Sequence, residues 1–440
     1  MAGQLVYIKT FGCQMNEHDS ETILNLLIPF NYRPTGDPKK ADLILVNTCS
    51  VREKSEHKFY SFLGRLKKFK ENGNGRVILG VGGCVAQQEG ERILERAPYV
   101  DLVFGTHNIY LLPDLINKFK ESHTPQIATN FNNDNYAGLS PGPFRLSPVK
   151  AYVTIMEGCD NFCSFCVVPF VRGREKSRPS SEIIEEVKQQ VSSGVKEVIL
   201  LGQNVNSYGN KVPGELTFPQ LLRELNKIDG LERIRFTTSH PKDLSEDLIN
   251  CFGELSKLCP HIHLPLQSGS NRILKLMNRG YTREEYLSKV KKLREVCPEI
   301  GITTDLIVGF PGETEEDFQA TLEMVSEVEY DEFFSFKYSD RPKTRASQYP
   351  NKLPEEEKAR RLYLLQEKQK PITLKKNHHL VGKILEILVE GKSKKDPHHL
   401  MGRSGTNKVV NFKGPLSLEG KIIPIKIVEA YQHSLSGCLV

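Results

Sequence analysis

Glu157-Gly158-Cys159-Asp160-Asn161-Phe162-Cys163-Ser164-Phe165-Cys166 follows an apolar, strand-like run and carries three cysteines in a C-x3-C-x2-C arrangement. Three thiolates so close together can grip a metal centre, whereas a structural zinc site takes four ligands. No histidine lies between His123 and His240, and the nearest other cysteines are Cys84 and Cys251. A local set of three ligands with one position open suits a cluster that must bind a further molecule.

The run before the triplet, Ala151–Met156, is the first of six strand-like segments. The others are Glu197–Leu201, Arg233–Thr238, His261–Leu266, Thr303–Val308 and Phe333–Tyr338. Helical segments such as Ser181–Val191, Arg283–Val296 and Glu315–Val328 separate them. This alternation predicts a central partial parallel (β/α)6 barrel, with chemistry at the carboxyl ends of its strands.

Upstream, Leu5–Lys9, Leu43–Val46 and Arg76–Val81 alternate with amphipathic segments and predict an N-terminal open parallel α/β sheet. Each strand runs into a cysteine: Cys13 after Thr10-Phe11-Gly12, Cys49 after Asn47-Thr48, and Cys84 after Val81-Gly82-Gly83. The intervals of 36 and 35 residues are each the length of one βαβ unit. Ligands of open parallel sheets gather at strand carboxyl ends, so these three cysteines could converge. Each taken singly reads as a buried, inert cysteine.

Three prolines and two glycines between Tyr136 and Pro148 mark a linker. Pro354 to about Asn377 reads as a charged helix leading out of the barrel. Lys383–Val389, Lys408–Phe412 and Ile422–Val428, separated by Gly-, Ser- and Lys-rich turns, predict a small C-terminal all-β barrel. The expected domains are residues 4–130, 145–375 and 376–440.

The 440 residues are 38% hydrophobic and 26% charged, as in an ordinary globular protein. No window approaches ~20 consecutive apolar residues, which argues against a transmembrane helix. The first strand begins within a few residues of Met1, leaving no room for a leader, so a cytoplasmic protein with no membrane partner is expected. In that reducing compartment ten cysteines point to metal or redox chemistry. The net charge is +6, and nine Lys and one Arg against five acidic residues place +5 of it between Lys376 and Val440. A basic tail on a neutral body points to an anionic partner, most simply a nucleic acid, with a solvated charged surface as the plainer reading.

The triplet resembles the signature of the radical S-adenosylmethionine (SAM) superfamily. There, three cysteines hold three irons of a [4Fe–4S] cluster and the fourth iron binds SAM. Phe165 occupies the aromatic position of that signature, where it would pack near the SAM adenine; core packing is its alternative. Along nearly the whole chain the sequence resembles the methylthiotransferases, and among them the tRNA-modifying, MiaB-type branch. The matching segments include Thr10-Phe11-Gly12-Cys13-Gln14-Met15-Asn16, Arg172-Gly173-Arg174-Glu175, Gly202-Gln203-Asn204-Val205-Asn206, Thr238-Ser239-His240-Pro241 and His263-Leu264-Pro265-Leu266-Gln267-Ser268-Gly269. Met277-Asn278-Arg279-Gly280-Tyr281 and Thr304-Asp305 through Glu313-Thr314 extend them. The last segment resembles a TRAM domain, an RNA-binding β-barrel.

The resemblance implies that Cys159, Cys163 and Cys166 hold one [4Fe–4S] cluster and Cys13, Cys49 and Cys84 a second. Gln203 and Ser268 join Phe165 as candidate SAM contacts, a hydrogen-bonded turn being the other role for Gln203. Cys251, Cys259, Cys297 and Cys438 match no cluster position and read as structural. The implied reaction is methylthiolation of carbon 2 of isopentenyladenosine at tRNA position 37, beside the anticodon. One SAM would methylate a sulfur at the second cluster, and another would be cleaved to a deoxyadenosyl radical. An unactivated aromatic C–H is beyond acid–base side chains, so no Ser, His or carboxylate is expected as a catalytic nucleophile. The implied partners are the tRNA anticodon stem-loop, an electron donor such as a flavodoxin or ferredoxin, and a sulfur source, acting on a monomer. The competing readings are a sister methylthiotransferase acting on threonylcarbamoyladenosine or a ribosomal protein, another radical SAM enzyme, and a non-enzymatic, zinc-bearing RNA-binding protein.

Overall fold

Leu43-Ile44-Leu45-Val46 is apolar at every position and buried at every position, as a central strand covered on both faces must be. It lies in a computed structural model that describes residues 3–50, 53–72, 77–131, 142–393 and 396–440. The chain forms two compact units. One is Met1–Leu146 with Glu157–Asp160 and Cys166–Arg178, and the other is Ser147–Met156 with Asn161–Phe165 and Pro179–Val440.

In the first unit six parallel strands form one sheet: β1 (Gln4–Thr10), β2 (Tyr32–Pro34), β3 (Leu43–Thr48), β4 (Ile78–Gly83), β5 (Leu102–Phe104) and β6 (Gln126–Ala128). Their order is β2-β1-β3-β4-β5-β6, so chain direction across the sheet reverses between β1 and β3, the place where such sheets bind ligands. Val6, Leu43, Leu45 and Leu102 pack on one face against Ile23, Leu27 and Ile116, while Ile44, Val46, Leu79 and Val81 pack on the other against Phe59, Leu63 and Leu66. The strand read as Arg76–Val81 is Ile78–Gly83, which carries it up to Cys84; residue 76 lies outside the described residues, as do 136–141 of the expected linker.

The two-residue strands β8 (Met156–Glu157) and β9 (Lys176–Ser177) flank the triplet in sequence. In the second unit β7 (Lys150–Thr154), β10 (Glu197–Leu201) and β11 (Arg233–Phe236) form one parallel ladder. A second ladder joins β12 (His261–His263), β13 (Gly301–Val308) and β14 (Glu332–Lys337). Among the described residues only the single bridge Ile234–Leu258 continues β11 toward the second ladder, so the six strands make a partial barrel in two halves. Ala151, Val153, Val198, Leu200, Ile234 and Phe236 alternate into the helix-covered core. The intervening positions Lys150, Tyr152, Glu197, Ile199, Arg233 and Arg235 share the inner face.

Five strands, β15 (Ile384–Lys392), β16 (Leu400–Ser404), β17 (Val409–Phe412), β18 (Ile422–Ala430) and β19 (Leu435–Leu439), close a small barrel around Ile387, Val389, Val410, Phe412, Ile425 and Ile427. It docks at the amino ends of the central strands. Arg233 donates to the Arg403 and Glu386 carbonyls at 2.7 and 2.9 Å, and Arg235 to those of Gly405 and Ser404 at 2.8 and 2.6 Å. Glu197 pairs with Arg235 at 2.9 Å, Lys150 with Glu390 at 2.8 Å, and Lys408 with Asp331 at 3.3 Å. The small barrel therefore floors the inner face and leaves the carboxyl ends for other work. Among the described residues no helix is long and apolar enough to cross a membrane.

Candidate functional site

In the first unit Cys13 follows β1 directly before helix Gln14–Leu27, Cys49 follows β3, and Cys84 follows β4 and opens helix Cys84–Glu89. β1, β3 and β4 are neighbours, so three cysteines far apart in sequence come together. A Cβ on Gly12 would stand 2.2 Å from Cys49 Cβ and 3.0 Å from its Sγ, at a φ of +127°. Only glycine brings the chain before Cys13 this close to Cys49. A hydrogen bond with Cys49 holds the Cys13 thiol down at about 6. Burial pushes Cys84 up, with Arg172 pulling the other way. Three thiols gathered from adjacent strands are a soft donor set that fits an iron–sulfur cluster.

A buried polar frame holds these strand ends. Asn16 Nδ2 donates to Asn47 Oδ1 at 3.1 Å and to the Thr48 carbonyl at 2.9 Å, and Asn47 Nδ2 returns to the Asn16 carbonyl at 2.8 Å. Arg172 is buried against Asp19, with Glu157 at 3.6 Å. Burial works against its charge, but Asp19, Cys84 and Glu157 outweigh that and keep it firmly cationic.

The triplet loop is fixed piece by piece. Gly158, at φ +73°, leaves room for the Arg174 carbonyl, which a Cβ would approach to 2.0 Å. Within the second unit, Asn278 Nδ2 donates to the carbonyls of Asn161 and Phe162, and Ser164 bonds through its amide to the Met277 carbonyl at 2.9 Å. Cys163 is buried there. Arg279 donates to its sulfur at 3.3 Å, to the Pro265 carbonyl at 2.7 Å and to the Tyr281 hydroxyl at 3.0 Å. His240 Nδ1 accepts from the Lys242 amide at 3.2 Å, which leaves the proton on Nε2, 3.9 Å from Cys163 Sγ. Burial, with Arg279 and Lys242 beside it, drives His240 far below its ordinary value and keeps it neutral. Among the described residues no three His, Cys, Asp or Glu side chains close on a single-ion position.

Around the carboxyl ends of the central strands the backbone is strained and its polar groups are unspent. Thr238 and Gln267 adopt φ values of +69° and +73°, which non-glycine residues hold only where their surroundings compel it. Asn204 Oδ1, Asn206 Oδ1, Ser239 Oγ and Gln267 Oε1 are buried without a hydrogen-bond partner among the described residues. Buried orphan oxygens at strand ends fit a polar small molecule such as SAM.

The sequence matches three family models: the Radical SAM superfamily over residues 153–325, the uncharacterized protein family UPF0004 over 5–105, and the TRAM domain over 379–440. It is 54% identical to the tRNA-2-methylthio-N(6)-dimethylallyladenosine synthase of Geobacter metallireducens over 99% of both chains. It is 49% identical to the protein of the same name from Carboxydothermus hydrogenoformans over the full length of each. The chain belongs to this synthase family. At 14% identity it also shares the fold of the radical SAM methyltransferase TsrM from Kitasatospora setae (TM-score 0.59, 78% of this chain and 77% of that one). The cobalamin-dependent radical enzyme OxsB matches with a TM-score of 0.55 over 83% of this chain and 56% of its own.

Within the synthase fold the three candidate SAM contacts differ in placement. Phe165 packs against the cluster of Ile273, Met277, Phe310, Tyr338 and Ala346. Ser268 is buried and its hydroxyl accepts from the Ser270 amide at 3.3 Å, within its own turn. Gln203 is half-buried, one residue before the orphan oxygen of Asn204. Sequence reasoning gave no site role to Asn16, Asn47, Arg172, Asn206, Ser239, His240, Gln267 or Arg279. Their signal was present: each lies within motifs already quoted or, for Asn47, two residues before a cysteine. Of the remaining cysteines, Cys251 and Cys259 are buried, Cys297 is half-buried and Cys438 is exposed.

Proposed function

We propose that this chain is a tRNA-2-methylthio-N6-isopentenyladenosine synthase, which methylthiolates carbon 2 of isopentenyladenosine at tRNA position 37. The observation that carries this reading is the gathering of Cys13, Cys49 and Cys84 on neighbouring strands, in a chain that also bears the Cys159/Cys163/Cys166 triplet. In this reading residues 4–130 hold one [4Fe–4S] cluster through the first set. Residues 145–375 hold the other through the triplet, together with SAM. Residues 376–440 engage the tRNA. When bound, the clusters and SAM supply the reductive, radical and sulfur-transfer chemistry that no side chain can perform on an aromatic C–H.

The chain's own groups do the rest. Arg279 and the Nε2–H of His240 face the Cys163 sulfur and keep its negative charge compensated in a water-poor setting. Asn16 and Asn47 lock the strand ends that present Cys13 and Cys49. Asn204, Asn206, Ser239 and Gln267 offer buried oxygens to orient SAM or the target base, with Gln203, Ser268 and Phe165 beside them in sequence. The small barrel floors the inner face, so water and substrate reach it from the carboxyl ends. The target base must leave its loop stack to enter, as base-modifying enzymes require. The enzyme works as a monomer in the cytoplasm, fed by a flavodoxin- or ferredoxin-like electron donor and a separate sulfur source.

The test is nucleoside analysis of tRNA from a strain lacking this gene. Isopentenyladenosine should accumulate without its methylthio form. Loss of the methylthio group from threonylcarbamoyladenosine or from a ribosomal protein instead would overturn the assignment.

A further inference from the structure

Helix Glu53–Asn72 carries two stripes. Phe59, Leu63 and Leu66 are buried in the sheet's core. Lys58, Ser61, Phe62 and Arg65, at i, i+3, i+4 and i+7, form another face. That face meets Lys9 and Phe11, from the end of β1 and the turn into Cys13, around an open cavity of about 450 Å³. Phe11 and Phe62 meet edge to face at 5.7 Å. Lys9 Nζ lies 5.7 Å from the Phe11 ring centre, and the Arg65 guanidinium lies 5.4 Å from that of Phe62. Among the described residues the lining comprises three cations, two aromatic rings and a hydroxyl, with no carboxylate. A core would not spend lysine and arginine on this stripe. Half-buried aromatic rings rimmed by cations are what single-stranded nucleic acid needs: faces for bases to stack on and charge for the phosphates.

We propose that this cavity binds nucleotides of single-stranded RNA, a base stacking on Phe11 or Phe62 and the neighbouring phosphates meeting Lys9, Lys58 and Arg65. The proposal rests on the tRNA reading above and adds to it a recognition surface on the first unit, two residues from Cys13, separate from the basic C-terminal segment. Single-stranded nucleotides of the same RNA would be held here.

The test uses the full-length, anaerobically reconstituted protein and a fluorescent anticodon stem-loop carrying isopentenyladenosine, titrated at several salt concentrations. The double variant Lys58→Glu/Arg65→Glu should bind about tenfold or more weakly, and its log–log salt slope should flatten by roughly 0.7 for each phosphate that is no longer neutralised. Lys58→Arg/Arg65→Lys should bind like the unaltered protein, and Phe62→Leu should weaken binding with the salt slope unchanged. Unchanged affinity and slope in the double glutamate variant would overturn the proposal. If the unaltered protein itself ignores the stem-loop, the tRNA reading falls and takes this one with it. A stem-loop containing 4-thiouridine gives a check that needs no variant. Ultraviolet cross-links should map to helix residues 58–65, and cross-links confined to residues 376–440 would exclude the cavity.

Discussion

The two cysteine sets reach their positions by opposite routes. Cys159, Cys163 and Cys166 lie on one short loop, whereas Cys13, Cys49 and Cys84 are scattered over 72 residues and assembled by the order of β1, β3 and β4. A local set needs only a well-pinned loop; a scattered set needs the whole sheet. Their charged neighbours differ as well. Arg172, near Cys84, sits between the carboxylates of Asp19 and Glu157, while Arg279, at Cys163, hydrogen-bonds a hydroxyl, a carbonyl and the sulfur, with no carboxylate among those partners. One site thus sets its arginine among carboxylates and the other sets an arginine at the sulfur with no carboxylate bonded to it.

Removing each set in turn tests this division most severely. Replacing Cys159, Cys163 and Cys166 by alanine should abolish both SAM cleavage and methylthio transfer. Replacing Cys13, Cys49 and Cys84 should abolish transfer while sparing SAM cleavage. Reconstituted iron should fall in either case from about eight to about four per chain. Loss of SAM cleavage in both variants would mean that the sets do not have separate roles.

The ion pair gives the next largest effect. Arg172→Met strands the fully buried Asp19 carboxylate and should cost about 3–5 kcal/mol, read by chemical denaturation. Asp19→Asn/Arg172→Met should recover much of that loss. Gly12→Ala comes next: strain and collision with Cys49 should cost roughly 1–3 kcal/mol and deplete the iron held by the first set. An intact iron content would show that the glycine matters less than the sheet. The smallest effect is in thiol titration of the reduced, cluster-free protein. Cys13 should alkylate with a midpoint near 6, because its thiolate is stabilised. Cys49→Ala removes the hydrogen bond and should raise that midpoint, so alkylation at neutral pH slows.

The local set is read from its spacing together with its place after the first barrel strand, and several elements are equally plain. Helices Arg283–Val296 and Glu315–Val328 begin and end where the pattern places them, and their starts are fixed by the capping boxes of Thr282 with Glu285 and Thr314 with Asp317. Strand Glu197–Leu201 is uninterrupted and coincides with its expected limits. The scattered set is legible through cysteines that follow successive strands at intervals of 35–36 residues, and its cluster role only through the family resemblance. Strands Tyr32–Pro34, Leu102–Phe104 and Gln126–Ala128 were not read because three residues carry no usable periodicity. β16 and β19 were missed for a related reason: Gly402 and Gly437 interrupt the alternation. The roles of His240 and Arg279 were hidden because they depend on which residues meet Cys163 in space, and separation along the chain says nothing of that.

The docking of the small barrel changes how deletion experiments should be interpreted. Arg233 and Arg235 hand four guanidinium hydrogen bonds to carbonyls of residues 386 and 403–405. Cutting the chain after residue 378 would strand those donors and open the inner face from below. Weak RNA binding by such a truncation would then report a leaking reaction chamber as much as a missing RNA grip. Charge reversals on the barrel's outward lysines, with the stopper left in place, separate the two.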